Sequence, residues 1–386
     1  MIQPELKAYR RCSDRHVLVL ETNLTYVEKC QIFHYADLIR KAGNELTGIM
    51  KKRYDQLVRT KRYRKLKSLY KKYKDADNKK ALKDVCDQMK EMQKQYDVTW
   101  DYCRTSMIPI GKKYGIDAVF ALTKAEDVFH GIEKCLYSDG ETIHFKKRGD
   151  LPCIRAKQIN RGIIMKQMNF KFKDMEFGVN IKDRYEQEEV DAILYYLKNA
   201  ELMDSIAANT YKETDICVST YRPCYVSLVC KKIRGKLRVY VHITIEGLSK
   251  PKQDRFGNFK HNKGKGIVGC DIGTQTIAYT SENKAGLKNL AERGSSIEVN
   301  ERKERRIYRA MDRSRRATNP DNYNEDGTIK KGKKKWTYSN RYKKLRTKHT
   351  ELCRINATNR HLAINEDVNE LRSLGDVFVT EPKNAK

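Results

Sequence analysis

The stretch Gly266-Ile-Val-Gly-Cys-Asp-Ile-Gly-Thr-Gln-Thr-Ile-Ala-Tyr-Thr280 decides how this chain reads. Ile267-Val268 is a short apolar run of the kind that forms a buried strand. Asp271 follows at once, with Gly269 and Gly273 on either side. A second apolar run, Ile277-Ala278-Tyr279, ends in the turn-forming residues Ser281-Glu282-Asn283-Lys284. Glycine carries no Cβ, so backbone or phosphate can come close to the carboxylate between them. An acid at a strand end, with nothing bulky beside it, suits a hard cation such as Mg²⁺. A turn aspartate in an ordinary hairpin reads the same way, so the motif gains weight only from a partner.

That partner lies at the far end. Asp376-Val-Phe-Val-Thr380 reads as another short buried strand, and it runs directly into Glu381-Pro-Lys-Asn384. Two strands that each end in a carboxylate can set Asp271 and Glu381 side by side. Such acids repel one another unless cations lie between them, which is the arrangement of two-metal nucleases.

Gly269-Cys-Asp-Ile-Gly273 and Val379-Thr-Glu-Pro-Lys-Asn384, separated by a long basic helical insert, resemble the first and second motifs of a RuvC-type nuclease domain. The insert contains Arg313-Ser-Arg-Arg316, Asn319-Pro-Asp-Asn-Tyr-Asn-Glu-Asp-Gly327, Trp336 and Ser339-Asn-Arg-Tyr342. In that combination the chain is similar to the transposon-encoded TnpB family and the compact type V CRISPR effectors. The resemblance is specific over about 266–386 and architectural over 1–265. It implies an RNA-guided DNA endonuclease with a guide RNA and target DNA as partners, in the cytoplasm of a prokaryotic-type cell and associated with its nucleoid. It further implies that Asp271 and Glu381 hold two Mg²⁺. The family adds a four-cysteine zinc finger and a third acid after the second motif. The sequence ends at Lys386, five residues past Glu381, so no zinc site is expected within it. It then reads either as a fragment of a longer nuclease or as a shortened relative that binds guided DNA without cutting. As a fragment it would expose the face that the later elements cover.

Composition points the same way. Across 386 residues, Lys+Arg 80 against Asp+Glu 50 gives a net charge of +30, spread along the whole length. So large an excess opposes compaction unless a polyanion neutralises it, and phosphates release counterions when they do so. An anionic membrane surface would also attract it, but the sequence shows no signal peptide, lipidation motif or 18-residue apolar run. Eleven cysteines include no Cys-x-x-Cys pair, and Cys217, Cys224 and Cys230 are separated by six and five residues. The expectation is therefore free, mostly buried thiols, with the eight histidines making no ligand pattern.

The expected architecture is multidomain α+β: an antiparallel β-barrel (the wedge) with an inserted helical recognition lobe, followed by an incomplete RNase H-like RuvC α/β domain. Residues 1–28 contribute the first barrel strand at His16–Glu21, and Asn23 or Thr25 caps the helix after it. The helical lobe covers 29–136. Ile32, Tyr35, Ala36, Ile39, Gly43 and Leu46 form its first core stripe, and Leu82, Val85, Met89 and Met92 a second on a helix over Lys79–Tyr102. Ser106–Lys113, with Pro109, reads as a break before a helix over Ile116–Leu136.

Residues 137–265 complete the barrel and supply a linker. Period-two runs occur at Thr142–Lys147, Met168–Lys173, Glu176–Ile181, Ile216–Thr220, Tyr225–Cys230 and Leu237–Ile245, interrupted by a helix over Glu186–Leu202. By resemblance the barrel grips the guide RNA scaffold, with Lys146, Lys171, Lys173, Lys231, Lys232 and Arg238 on its polar phase. Residues 266–386 are the RuvC part, with helices expected over Glu301–Arg316 and from Tyr342 to about Leu371. The latter carries a Leu345, Leu352, Ile355 and Leu362 stripe.

Two basic regions are the candidate nucleic-acid surfaces. Lys51 to Lys74 holds twelve Lys/Arg against one acid, with Tyr54, Tyr63, Tyr70 and Tyr73 interleaved. Its candidate contacts are Lys51, Lys52, Arg53, Arg59, Arg62, Arg64, Lys67 and Lys71, with the tyrosines as stacking platforms. An ordinary solvated helix face, its tyrosines packed on the core, is the competing reading. In the second region Arg305, Arg306, Arg309, Arg313, Arg315 and Arg316 precede Lys333, Lys334, Lys335, Trp336, Arg341 and Tyr342. Lys330–Lys348 alone holds ten Lys/Arg and no acid, and it lies between the two candidate metal ligands in sequence. Two other classes share these features: a guided binder or repressor that does not cut, and a structural, ribosome-type RNA-binding protein.

Overall fold

Leu18 and Leu20 are buried while Val17 and Val19 face outward, and this alternation makes β1 (Arg15–Thr22) the strand on which the first half of the molecule is assembled. The computed structural model describes residues 15–138, 140–201, 221–247, 252–254, 256–261, 264–290, 292 and 295–381. The strand expected at Ile216–Thr220 and the motif tail Pro382–Asn384 lie outside the described residues. The fold is mixed α+β in two compact units, Met1–Lys232 with Lys236–Lys250, and Ile233–Gly235 with Pro251–Lys386. Among the described residues, no helix is long and apolar enough to cross a membrane.

In the first unit, β1 pairs antiparallel with β8 (Lys236–Glu246), and β8 is joined to β7 (Arg222–Ile233) by a turn at Arg234-Gly235. Both turn residues have positive φ, 50° and 76°, the conformation a tight hairpin needs. The sheet order is β2-β7-β8-β1-β6, with β2 at Ile154–Arg155 and β6 at Val179–Asn180. A separate antiparallel sheet holds β3 (Ile163–Lys166), β4 (Asn169–Phe172) and β5 (Met175–Phe177), whose Phe170 and Phe177 rings stack at 6.0 Å. The strands thus form two sheets among the described residues, with no closed barrel. Thr142–Lys147, expected as a strand, is irregular. The Asn44 side chain takes both backbone groups of Lys146, at 2.8 and 2.9 Å, in place of a neighbouring strand.

The helical lobe comprises α1 (Tyr26–Arg59), α2 (Lys61–Asp75), α3 (Lys79–Gln95), α4 (Trp100–Lys113) and α5 (Ala118–Tyr137). Thr25 caps α1 in a capping box with Glu28. All six residues of the first expected stripe are buried, as are Val85, Met89 and Met92. The helix expected to run from Lys79 to Tyr102 is broken at Asp97, where φ is 57°, and restarts under the Thr99 cap. Ser106–Lys113 is helix rather than a break. Proline costs a helix interior roughly 3 kcal/mol, and burial of Cys103, Met107 and Ile110 offsets that at Pro109. Helix α6 (Arg184–Lys198) follows β6.

The second unit is built on one mixed sheet of order β11-β10-β9-β12. Its strands are β9 (Ile267–Ile272), β10 (Thr276–Thr280), β11 (Ala285–Asn289) and β12 (Val377–Thr380). Helices α7 (Ser295–Thr318) and α8 (Asn340–Arg372) connect β11 to β12 and run against each other as a hairpin. One sheet face packs on α8. Val268, Cys270 and Leu371 form that small core, and Lys288 of β11 pairs with Asp367 at 3.4 Å and with Glu370. The other face is open: Ile267, Leu287, Val377 and Val379 are each more than half exposed. Both strands expected to be buried are therefore buried on one side at most, and Phe378 is also 41% exposed. In α8, Leu345, Leu352 and Ile355 are half-buried, but Leu362 is exposed.

Candidate functional site

Register places the two candidate acids. Strand β12 runs parallel to β9 with Val377 opposite Ile267, Val379 opposite Gly269 and Thr380 opposite Cys270. One residue further along each strand come Glu381 and Asp271. Side chains level with one another on neighbouring strands share a face, and strands lie about 4.8 Å apart. Continuing the register one residue past the last ladder pair would set the two on one face, and both residues are exposed. For Asp271 it is the open face, since its neighbour Cys270 lies in the small core on the side that α8 covers.

Close backbone approach fixes this register. Asp376 accepts a hydrogen bond from the Gly266 amide at 2.9 Å, and the Asp376 and Val377 amides both donate to the Gly266 carbonyl at 3.0 and 3.1 Å. A Cβ on Gly375 would lie 2.5 Å from that carbonyl and 2.7 Å from Val268 Cγ2. Gly266 itself has φ +108°, open only to glycine at low cost. Asp271 lies within β9, opposite Ala278 of β10, rather than in a turn beyond the strand.

The sequence-predicted basic residues separate into exposed and tethered groups. On α1 and α2, Lys52, Arg59, Arg62, Arg64 and Lys71 are exposed. Lys51 pairs with Asp55 at 2.8 Å, and Arg53 lies over the Tyr102 ring. Lys67 donates to the Cys135 carbonyl at 2.7 Å, and burial, with Lys71 nearby, lowers its pKa. Tyr54 and Tyr63 are buried in the core and cannot stack on a base, while Tyr70 and Tyr73 are half-buried and pack against it. Tyrosines spaced at helical period read equally well as core or as surface, and tertiary packing puts Tyr54 and Tyr63 inside.

On α7, Arg305, Arg306, Arg309, Arg313 and Arg316 are exposed along the helix. Arg315 is held by Asp312 at 2.8 Å and stacks on Trp336 at 5.2 Å, and Arg316 joins the same carboxylate. Trp336 also meets Tyr323 edge-on at 5.8 Å, so it anchors the loop between the helices. Asn319 completes that anchor, donating to the Arg315 and Thr337 carbonyls and accepting from the Thr337 amide. Lys333, Lys335 and Arg341 are exposed, Lys334 donates to the Gly332 carbonyl, and Tyr342 stacks on Tyr338 at 4.6 Å.

A second cluster was not apparent from sequence. Glu304 of α7 meets His349 and Cys353 of α8, and all three are half-buried. His349-x-x-x-Cys353 at helical spacing is the only local signal of it, because Glu304 lies 45 residues earlier. All nine described cysteines are free. Only Cys103, Cys135 and Cys270 are fully buried, so the thiols are less buried than expected. No protein-family model matches the chain, and no curated protein matches it significantly.

Proposed function

We propose that the protein is an RNA-guided, metal-dependent DNA endonuclease of the kind its motifs resemble, with Asp271 and Glu381 as the metal-holding carboxylates of a RuvC-type site. The observation that supports this reading is the parallel β9–β12 register, whose continuation past Thr380 and Cys270 would bring two exposed acids from distant parts of the sequence level with one another. Two carboxylates so placed, flanked by Gly269 and Gly273, fit a hard divalent cation better than an isolated turn aspartate does. Mg²⁺ held there would supply charge stabilisation to a phosphodiester under attack. The exposed arginines of α7 suit the phosphates of a nucleic acid. Sequence choice would come from pairing with the guide, not from base contacts by the protein.

The test is the RNA that copurifies with the protein. A single structured RNA species, and Mg²⁺-dependent cutting of DNA matching its guide segment, are the expected results. A mixed RNA population would overturn the guided reading and favour a general RNA-binding protein. A guided binder that does not cut would use the same exposed arginines of α7 and is the second reading. Tight binding of guide-matched DNA without metal-dependent cleavage would decide for it.

A further inference from the structure

We infer that Glu304, His349 and Cys353 form a binding site for a Zn²⁺-like divalent cation that fastens α7 to α8. Helical geometry brings the ligands together. His349 and Cys353, four residues apart, stand on the same face of α8, one turn above the other. Glu304 projects from α7 between them. His349 Nε2 lies 3.0 Å from Glu304 Oε1, Cys353 Sγ lies 3.4 Å from the same oxygen, and Sγ lies 3.8 Å from His349 Nε2.

Usual zinc bond lengths at a tetrahedral angle separate S, N and O ligands by about 3.4–3.6 Å. The three observed edges bracket that range, so a cation enters with side-chain shifts of a few tenths of an ångström. One sulfur, one imidazole and one carboxylate form a mixed set that suits zinc and excludes the oxygen-only preference of Mg²⁺. Three protein ligands leave a fourth position for water, and the half-buried setting gives water access to it.

Without a cation the Cys353 sulfur is a thiol. Burial and the neighbouring Glu304 carboxylate both raise its pKa, since each disfavours a second negative charge. A divalent cation reverses that balance: the S–H proton passes to buffer and a metal–sulfur bond forms in its place. The site is separate from the Asp271–Glu381 pair, and its occupancy does not depend on the nuclease reading. Its consequence would be mechanical, fixing α7 and its exposed arginines against α8.

The experiment treats the full chain with chelator, removes it, and titrates the protein with Co²⁺ alone as a spectroscopic substitute. One thiolate-bound Co²⁺ per chain, counted from its thiolate-to-cobalt charge-transfer band, release of about one thiol proton for each such ion, and displacement by Zn²⁺ are expected. Cys353→Ser should abolish the band, whereas Cys153→Ser, at an exposed thiol elsewhere, should leave it unchanged. Glu304→Gln and His349→Ala keep the thiol and should weaken Co²⁺ binding by at least the ~10–100-fold that even an outer-shell partner is worth. These two variants carry the test should Cys353→Ser fail to fold. A wild-type protein with no charge-transfer band would overturn the proposal and leave a hydrogen-bonded cluster only. A band that survives unchanged in Cys353→Ser, or affinity unchanged in both other variants, would overturn it equally.

Discussion

Thr380 of β12 and Cys270 of β9 are partners in a parallel ladder, and the residues that follow them are Glu381 and Asp271. The connection between those strands contains both long helices of the second unit, so the pairing joins positions 110 residues apart in sequence. The nuclease reading depends on that alignment.

If the pair holds the catalytic metal, Asp271→Ala and Glu381→Ala should each lower Mg²⁺-dependent cutting of guide-matched DNA by about 10²-fold or more. Removing a metal ligand forfeits several kcal/mol of charge stabilisation. Affinity for the same DNA should change only a few-fold, because the basic surfaces are untouched. Single-turnover cleavage and filter binding on the same preparations separate the two effects. Undiminished cutting by Asp271→Ala would remove that residue from the site.

Register should be sensitive to a single methyl group. A Cβ at Gly375 meets main-chain oxygen and the Val268 side chain, which cannot both move aside, so Gly375→Ala should destabilise the second unit by about 1–3 kcal/mol. Gly131 in α5 has nothing within 4 Å of its added Cβ, so Gly131→Ala should stabilise the first unit by about 0.4–1 kcal/mol. Urea unfolding read by hydrogen exchange in each unit measures both.

Exposed and tethered arginines should differ in salt dependence. Arg309→Gln and Arg313→Gln remove exposed charges, and each should reduce the slope of log K against log salt for nucleic-acid binding by about 0.7–0.9. Arg315→Gln breaks the contacts with Asp312 and Trp336, so it should lower thermal stability and leave the slope nearly unchanged. Equal slopes for all three variants would show that exposure does not mark phosphate contact here.

Acid should loosen the start of α1. Hydrogen bonds from the Thr25 hydroxyl and the Thr25 amide hold the Glu28 carboxyl below its usual range. Its folded pKa is therefore lower than its unfolded one, near 4.3. The stabilisation is complete above the unfolded value and is lost as pH falls through the lowered folded value. Thr25→Val should flatten that acid limb, as should Glu28→Gln. An unchanged acid limb in both variants would rule out the capping box as its source. Thermal melts between pH 6 and the acid transition measure it.

Much of the helical lobe was legible because its signal is local. Ile32 through Leu46 and Val85 through Met92 repeat at the period of a helix, and a helix hydrogen-bonds within itself. Strands at His16–Glu21, Tyr225–Cys230 and Leu237–Ile245 were equally plain from alternation. Thr142–Lys147 has the same alternation and forms no strand, and the backbone N–H and C=O of Lys146 are bound by the Asn44 side chain instead of a neighbouring strand. Pro109 marked a break by its chemistry, yet packing of Met107 and Ile110 carries the helix through it. Tyr54 and Tyr63 fitted both a core and a stacking surface, and only the packed lobe decides for core.

Sequence by itself determined the charge, the helical periods, the strand segments and the identity of two acids at strand ends. Each of these belongs to a residue or to a few neighbours. Tertiary structure alone decided that β12 lies parallel beside β9 and that one face of their sheet is covered by α8 while the other is open. It also decided that Glu304 meets His349 and Cys353. Pairing between distant segments is set by close approach of backbones, as at Gly375 and Gly266, and by which helix faces interlock. Neither leaves a periodic mark in the chain.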